Sequence, residues 1–75
     1  MTKTENAHRR AMRVYRQLRE LRIARGLTME EVAPLAGVHT NTLGAWERLE
    51  RDPHLPNLLR WVDALGADLA DLLTG

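Results

Sequence analysis

The stretch LTMEEVAPLAGVHTNTLGAWE, residues 27–47, decides the fold of this 75-residue chain. Thr28 followed three residues later by Glu31 is a capping box, in which each side chain accepts a hydrogen bond from a backbone N–H at a helix start. Gly37 permits a left-handed turn, and the polar run HTNT after it favours a second helix start. The stretch therefore predicts two short helices joined by a tight turn, the first of them kinked or shortened by Pro34.

Apolar residues on both sides of this stretch recur with a helical period. Gly26 ends a first helix that follows a flexible arm over residues 1–6, and Gly66 ends a fourth helix before a short fifth one. The apolar stripes are Ala7, Ala11, Val14, Leu18 and Leu21; Val32, Leu35 and Ala36; Leu43, Trp46 and Leu49; Leu55, Leu58, Trp61, Val62 and Leu65; and Leu69, Leu72 and Leu73. No segment alternates with the period of a strand, which predicts one all-α domain of five helices over residues 7–75.

Composition narrows the classes of function. The chain has no Cys and its three His residues are far apart in sequence, so neither a disulfide nor a metal site is expected. No apolar run approaches the ~20 residues that span a bilayer, and the N-terminus lacks the apolar part of a secretory signal, which favours a soluble, cytoplasmic protein. Without Ser, Cys or a glycine-rich phosphate loop, the sequence indicates neither an enzyme nor a cofactor or small-molecule substrate.

Charge is segregated along the chain. Residues 1–27 contain eight Lys or Arg against two Glu, whereas residues 28–75 contain three Arg against eight acids, for a formal net charge of +1. Arg9, Arg13 and Arg16 share one face of the first helix at steps of four and three. A basic face of this kind is suited to a polyanion, and its alternative is a solvated face that supports nearby Glu residues.

In their joint order and spacing, the motifs resemble the Cro/C1-type (XRE-like) helix-turn-helix family over residues 14–73. The matching motifs are LREL with Arg22, RGLT, EVA, AGV, LGAWE, Pro53 and DALG. The resemblance implies a compact five-helix Cro/C1-type domain, here with an N-terminally extended first helix, and a recognition helix from about Thr40 to Arg48. It also implies a bacterial, plasmid or phage origin.

The resemblance further implies that the recognition helix reads base edges in the major groove of double-stranded DNA. Asn41 suits adenine, because its amide can bond N6 and N7 together. Thr40 and Asn41 have an alternative role as caps of the helix. The expected base contacts are His39, Thr40, Asn41, Gly44 and Ala45, and the expected DNA-backbone contacts are Thr28, Met29, Thr42, Arg48, Arg51, Lys3, Arg9, Arg10 and Arg13.

Arg22 and Glu47 correspond to the family's paired Arg and Glu, so the resemblance implies a partly buried ion pair between the first and third helices. Two positions depart from the family pattern. Met29 stands where Gln is common, and Leu49 stands where the glycine after the third helix is usual. The turn at Leu49 must therefore be built differently, or the third helix must continue.

A homodimer on a pseudo-palindromic operator is expected, because one recognition helix buries too little surface for tight specific binding. The first candidate interface is Leu69, Leu72 and Leu73, which alternatively close the monomer core; the second is the stripe of Ala7, Ala11 and Val14. The favoured function is a sequence-specific transcriptional regulator, most simply a repressor. The alternative is a protein-interaction module such as an antitoxin or adaptor with a degenerate helix-turn-helix, since the recognition helix has no cation before Arg48.

Overall fold

The computed structural model describes residues 3–74, with side chains from residue 6 onward. These residues form five helices: α1 (Lys3–Ala24), α2 (Met29–Leu35), α3 (Thr40–Glu47), α4 (Leu55–Ala64) and α5 (Leu69–Thr74). No strand occurs between residues 3 and 74, so the predicted all-α fold is confirmed. None of the helices is both long and apolar enough to cross a membrane. The predicted arm is helical from Lys3 on, and its first two residues lie outside the described part.

The core is built from one stripe of each of the first four helices. Trp61 is fully buried at its centre, with its ring stacked on Tyr15 at a centroid distance of 6.1 Å and tilted against Trp46 at 5.5 Å. Such aromatic pairs add to the free energy gained from apolar burial. The core comprises Val14, Tyr15, Leu18, Val32, Ala33, Ala36, Leu43, Trp46, Trp61, Val62 and Leu65.

The burial predicted for Leu35 and Leu55 is wrong. Leu35 is 65 % exposed, because α2 turns Val32, Ala33 and Ala36 toward the core and Leu35 to the outside. Leu55 is 62 % exposed at the first position of α4. Both lie at helix ends, where the helical period has no further turn of contacts to enforce burial.

The start and end of α2 follow the predicted chemistry. The Thr28 hydroxyl accepts a hydrogen bond from the Glu31 N–H at 3.1 Å, and the Glu31 carboxylate accepts one from the Thr28 N–H at 2.9 Å, which confirms the capping box. α2 is short, with seven residues and Pro34 inside it. Gly37 then takes φ +75°, and the Val38 N–H bonds the Ala33 carbonyl at 3.0 Å. This closed turn sets the direction in which α3 begins.

The end of α3 repeats that turn with a different residue. Leu49 takes φ +63°, and the Glu50 N–H bonds the Ala45 carbonyl at 2.9 Å, as Val38 bonds Ala33 after α2. α3 therefore stops at Glu47, one residue before the predicted end, and does not continue. A left-handed conformation costs a residue with a Cβ about 1–2 kcal/mol. Packing of the half-buried Leu49 side chain against the core offsets this strain.

Candidate nucleic-acid interface

The first turn of α3 presents polar side chains that have no partner among the described residues. His39 is the N-cap, which makes Thr40 and Asn41 the first two residues inside the helix. The His39 side chain makes no capping hydrogen bond. The capping alternative for Thr40 and Asn41 is therefore wrong. His39 and Asn41 are exposed and Thr40 is half-buried. Their free donors and acceptors, together with the uncapped N–H groups of the helix start, are available to a ligand.

The middle of α3 is covered by two side chains. A Cβ on Gly44 would lie 2.8 Å from Nη1 of Arg48 and 3.6 Å from Sδ of Met29, so both side chains lie against the Gly44 backbone. Ala45 is only 9 % exposed. Of the five residues expected at base edges, the structure thus exposes the first turn and covers the last two in the free protein.

Arg48 is held by the residue two positions further along the chain. Its Nε and Nη2 donate to the two carboxylate oxygens of Glu50 at 2.9 and 3.3 Å. Both side chains remain more than half exposed. The pair lowers the pKa of the Glu50 carboxyl and raises the pKa of Arg48, through the hydrogen bond first and the opposite charge second. The cation of the recognition helix is therefore neutralised by an acid on the same surface.

The C-terminal end of α3, at the residue before Arg48, is anchored by the ion pair that the family resemblance implies. Nε and Nη2 of Arg22 donate to Oε2 and Oε1 of Glu47 at 2.7 and 2.8 Å, and Nη1 of Arg22 donates to the Leu27 carbonyl at 2.8 Å. The two side chains are 12 % and 3 % exposed. The hydrogen bond to Glu47 raises the pKa of Arg22. This pair ties α1, the α1–α2 connection and the end of α3 together.

The other predicted DNA-backbone residues lie on two surfaces. Thr28, next to the half-buried Met29, is exposed at the start of α2, and Thr42 is half-buried in α3. The exposed Arg51 precedes Asp52 in the connection after α3. Burial of the Tyr15 phenol is the main cause of its raised pKa, and the negative charge of Asp52 and a hydrogen bond to it raise that pKa further. That contact places the α3–α4 connection beside the middle of α1.

The basic face of α1 points away from the core. Arg9, Arg13 and Arg16 are exposed at one-turn intervals, whereas Val14 and Leu18 of the same helix are buried. Arg10 is exposed as well, beside this row. The side chain of Lys3 lies outside the described residues. The sequence thus identifies the face correctly as a row of cations in solvent, and its contact with DNA stays a prediction.

The two candidate dimer surfaces turn out to be neighbours. An open apolar groove of about 230 Å³ runs between α1, α4 and α5. Leu73, which is 36 % exposed, lines it, while Leu72 is half-buried against α1. The apolar residues of the groove are Ala7, Ala11, Val14, Tyr15, Leu58, Leu69 and Leu73. Sequence periodicity treats the stripes of α1 and α5 as separate, because it does not contain the packing angle that brings them together.

Comparison with known proteins is consistent with this geometry. A family model for the helix-turn-helix matches residues 18–72. Among solved structures, the crystal structure of the restriction-modification controller protein C.AhdI from Aeromonas hydrophila is similar, with a TM-score of 0.74 and 35 % sequence identity. That similarity covers 83 % of this chain and 94 % of that chain. A comparison with the curated proteins finds no match.

Proposed function

The chain belongs to the helix-turn-helix family of the Cro/C1 type, and from this premise we propose that it is a sequence-specific transcriptional regulator of double-stranded DNA. It reads the major groove with α3. The observation that carries the proposal is the first turn of α3, where polar side chains with no partner among residues 6–74 stand on a helix whose other end is buried and ion-paired. As a repressor of a bacterial, plasmid or phage operator, it acts in the cytoplasm.

The first turn supplies the base contacts. Asn41, which is exposed and has no partner within the described part of the chain, bonds N6 and N7 of an adenine, and Thr40 bonds a base or packs its methyl group against thymine. His39 lies at the edge of the same surface. Gly44 contributes close approach after the side chains of Arg48 and Met29 move aside, and Ala45 offers only the small part of its methyl group that is exposed.

Contacts to the DNA backbone come from around this turn. Thr28 and Met29 at the start of α2 and Thr42 in α3 flank the reading surface, and the uncapped N–H groups of α3 face phosphate. Arg48 and Arg51 supply cations from the end of α3 and the connection after it. The N–H groups of one helix start carry only a partial positive charge, so affinity for the phosphate backbone needs further cations.

The basic face of α1 meets that need. Lys3, Arg9, Arg10 and Arg13 belong to the part of α1 that precedes the family match at residue 18, so they add to the common domain. The double variant Arg9→Gln/Arg13→Gln should flatten the slope of log affinity against log salt by about 1.8, at about 0.9 per phosphate contact. Arg25→Gln, at the other end of α1, is the control. An unchanged slope in the double variant rejects the contact.

Two copies of the chain form the DNA-binding unit. The two-fold axis passes beside the apolar groove between α1, α4 and α5, where the exposed Leu73 at its edge enters the groove of the second copy. Sedimentation should give a dimer for the wild type and a monomer for Leu73→Gln. Ile23→Gln, which changes an apolar residue that is 50 % exposed at the end of α1, should remain a dimer. A dimeric Leu73→Gln would exclude this interface.

Selection of bound sequences from a random duplex pool tests the function itself. The expected product is a pair of related half-sites one helical turn apart, about 34 Å, with two-fold symmetry. Competition with random duplex then measures the specificity ratio at a stated salt concentration. If no duplex is bound even at low salt, the protein is an interaction module and the proposal fails.

A further inference from the structure

Arg48 occupies an unexpected place on the recognition helix. Thr40, Gly44 and Arg48 follow one another at steps of four, so they form one row along α3. The Arg48 side chain folds back along that row, toward the helix start, until Nη1 reaches 2.8 Å from the position of a Gly44 Cβ. Met29 at the start of α2 closes the same spot with its sulfur. The guanidinium therefore lies between the two helices that form the proposed DNA-binding surface.

Gly44 makes this placement possible. Glycine is the least favourable ordinary residue in a helix interior, and its φ at this position is not one that requires glycine. Any larger residue would direct a Cβ into the guanidinium. A residue with poor helix propensity thus stands where the folded-back Arg48 needs room.

Glu50 keeps Arg48 in that place. It accepts two hydrogen bonds from the guanidinium, with the planar fork of Arg48 facing both carboxylate oxygens. The same fork fits two phosphate oxygens or N7 and O6 of a guanine. Glu50 therefore occupies, within the free protein, the donor set that DNA would use.

We propose that Glu50 is a specificity-determining residue, which holds Arg48 over Gly44 and releases it only to a pair of acceptor atoms on correctly seated DNA. The inference rests on the proposed DNA-binding function. An exposed ion pair of this kind is held weakly, so a well-placed acceptor pair on DNA displaces Glu50. On poorly seated DNA the ion pair stays closed. Glu50 then balances the charge of Arg48, and its carboxylate repels phosphate.

A double-mutant cycle tests the release. Affinities of the wild type, Glu50→Gln, Arg48→Gln and the double variant are measured by titration at low salt with the duplex selected from the random pool and with random duplex. Glu50→Gln should bind random duplex about tenfold more tightly, with a salt slope about 0.9 steeper. In the Arg48→Gln background the same change should give less than about threefold, because only repulsion by Glu50 is removed. Asp63→Asn, an exposed acid on α4, controls for net charge.

The selected duplex separates the two acceptor types. A preference for guanine at one position that Arg48→Gln abolishes assigns Arg48 to a base; without that preference the acceptor pair belongs to a phosphate. The release requires a larger gain for Glu50→Gln on random duplex than on the selected duplex, so equal gains on both overturn it. A gain for Glu50→Gln that is the same with and without Arg48, or no gain at all, overturns it.

A readout without DNA completes the test. Gly44→Ala should displace the guanidinium and, measured by NMR, raise the pKa of Glu50 toward its usual range, as Arg48→Gln does. An unchanged pKa in Gly44→Ala overturns the role of Gly44. Failure of the proposed function has a different signature. If the wild type binds no duplex even at low salt, the proposed function fails and the release falls with it; if the wild type binds and Glu50→Gln binds random duplex no more tightly, only the release falls.

Discussion

The two ends of α3 lie only about 10 Å apart and are built in opposite ways. At the C-terminal end the Glu47 carboxylate is 3 % exposed and fully engaged by Arg22. At the N-terminal end Asn41 is exposed and has no partner among the described residues. The difference teaches how a protein of 75 residues presents unsatisfied groups without losing order: one end of the helix is fixed so that the other end can stay open.

The first way to break this comparison is to release the fixed end. Glu47→Gln should destabilise the fold by about 3–5 kcal/mol, because it leaves the Arg22 guanidinium buried without its counter-charge. A single core of this size supplies about 3–5 kcal/mol in total, so the variant should be largely unfolded at 25 °C. Urea denaturation followed by circular dichroism measures the loss.

A second variant separates lost charge pairing from lost packing. Arg22→Met/Glu47→Leu removes both charges and keeps apolar volume, so it should be more stable than Glu47→Gln alone. It also leaves the Leu27 carbonyl without the Arg22 donor, so recovery should be incomplete. If Glu47→Gln unfolds at the same urea concentration as the wild type, the ion pair is not what fixes this end.

The open end gives the next largest effect, and it should appear in binding only. Asn41→Ala should lose about 1–3 kcal/mol of discrimination at one base pair, because Ala has no group to bond adenine. Stability should be unchanged, since Asn41 has no partner between residues 6 and 74 and Ala favours a helix. Competition between the selected duplex and single-base variants measures the discrimination, and thermal denaturation measures the stability.

Asn6→Ala is the matched control for that prediction, because Asn6 is an exposed asparagine of α1. It should change neither stability nor base preference. A destabilised Asn41→Ala would show instead that Asn41 serves the fold, and the contrast between the two ends of α3 would disappear.

The fixed end of α3 and the elements that pack around it could be predicted from the sequence to a large degree. The capping box and the buried tryptophans follow from residue type and period, and the Arg22–Glu47 pair follows from the family resemblance. These features depend on local backbone chemistry or on matched positions, both of which are present in a one-dimensional pattern.

The proposed DNA-reading side of α3, from its open end to Arg48, could be predicted only in outline. The pattern places Thr40 and Asn41 at the helix start, but not the fold-back of Arg48 over Gly44, because the torsions of a long surface side chain are set by neighbours that meet only in three dimensions. Leu35 is wrong for a related reason. A seven-residue helix shows fewer than two full turns of pattern, which does not decide between adjacent stripes.

The turn that closes α3 sharpens the comparison further, because there the fixed end is strained. Leu49→Ala keeps the left-handed backbone and loses the packing of the side chain, whereas Leu49→Gly also loses packing but removes the strain. We therefore expect Leu49→Gly to be about 1 kcal/mol more stable than Leu49→Ala. At an ordinary helical position the order is the reverse, by about the same amount.

The same two denaturation curves carry their own control, since both variants delete the side chain that contacts the core. Gly66, which already has φ +63°, should show the matching order when it is changed to Ala. If Leu49→Ala is the more stable of the two, then Leu49 does not adopt the left-handed conformation in solution and α3 continues beyond Glu47.

The smallest effect concerns how α2 and α3 begin. The start of α2 is closed by Thr28 and Glu31, and the hydrogen bonds from Thr28 lower the pKa of the Glu31 carboxyl. A carboxyl with a lowered pKa in the folded state contributes stability above its unfolded pKa and loses that contribution as the pH falls through the folded pKa. The wild type should therefore lose stability on acidification below the usual range of Glu.

Glu31→Gln removes this titration while it keeps an oxygen to accept the Thr28 N–H, so its stability should fall less steeply over the same acidic window. Glu20→Gln, an exposed carboxylate of α1 outside any cap, should follow the wild type.

The side chain of His39, by contrast, makes no capping hydrogen bond at the start of α3, and His39→Ser should add the missing cap and stabilise the fold by about 1 kcal/mol. An unchanged stability in His39→Ser would mean that the start of α3 lacks no cap. An equal loss of stability with falling pH in the wild type and Glu31→Gln would mean that the cap of α2 does not form in solution.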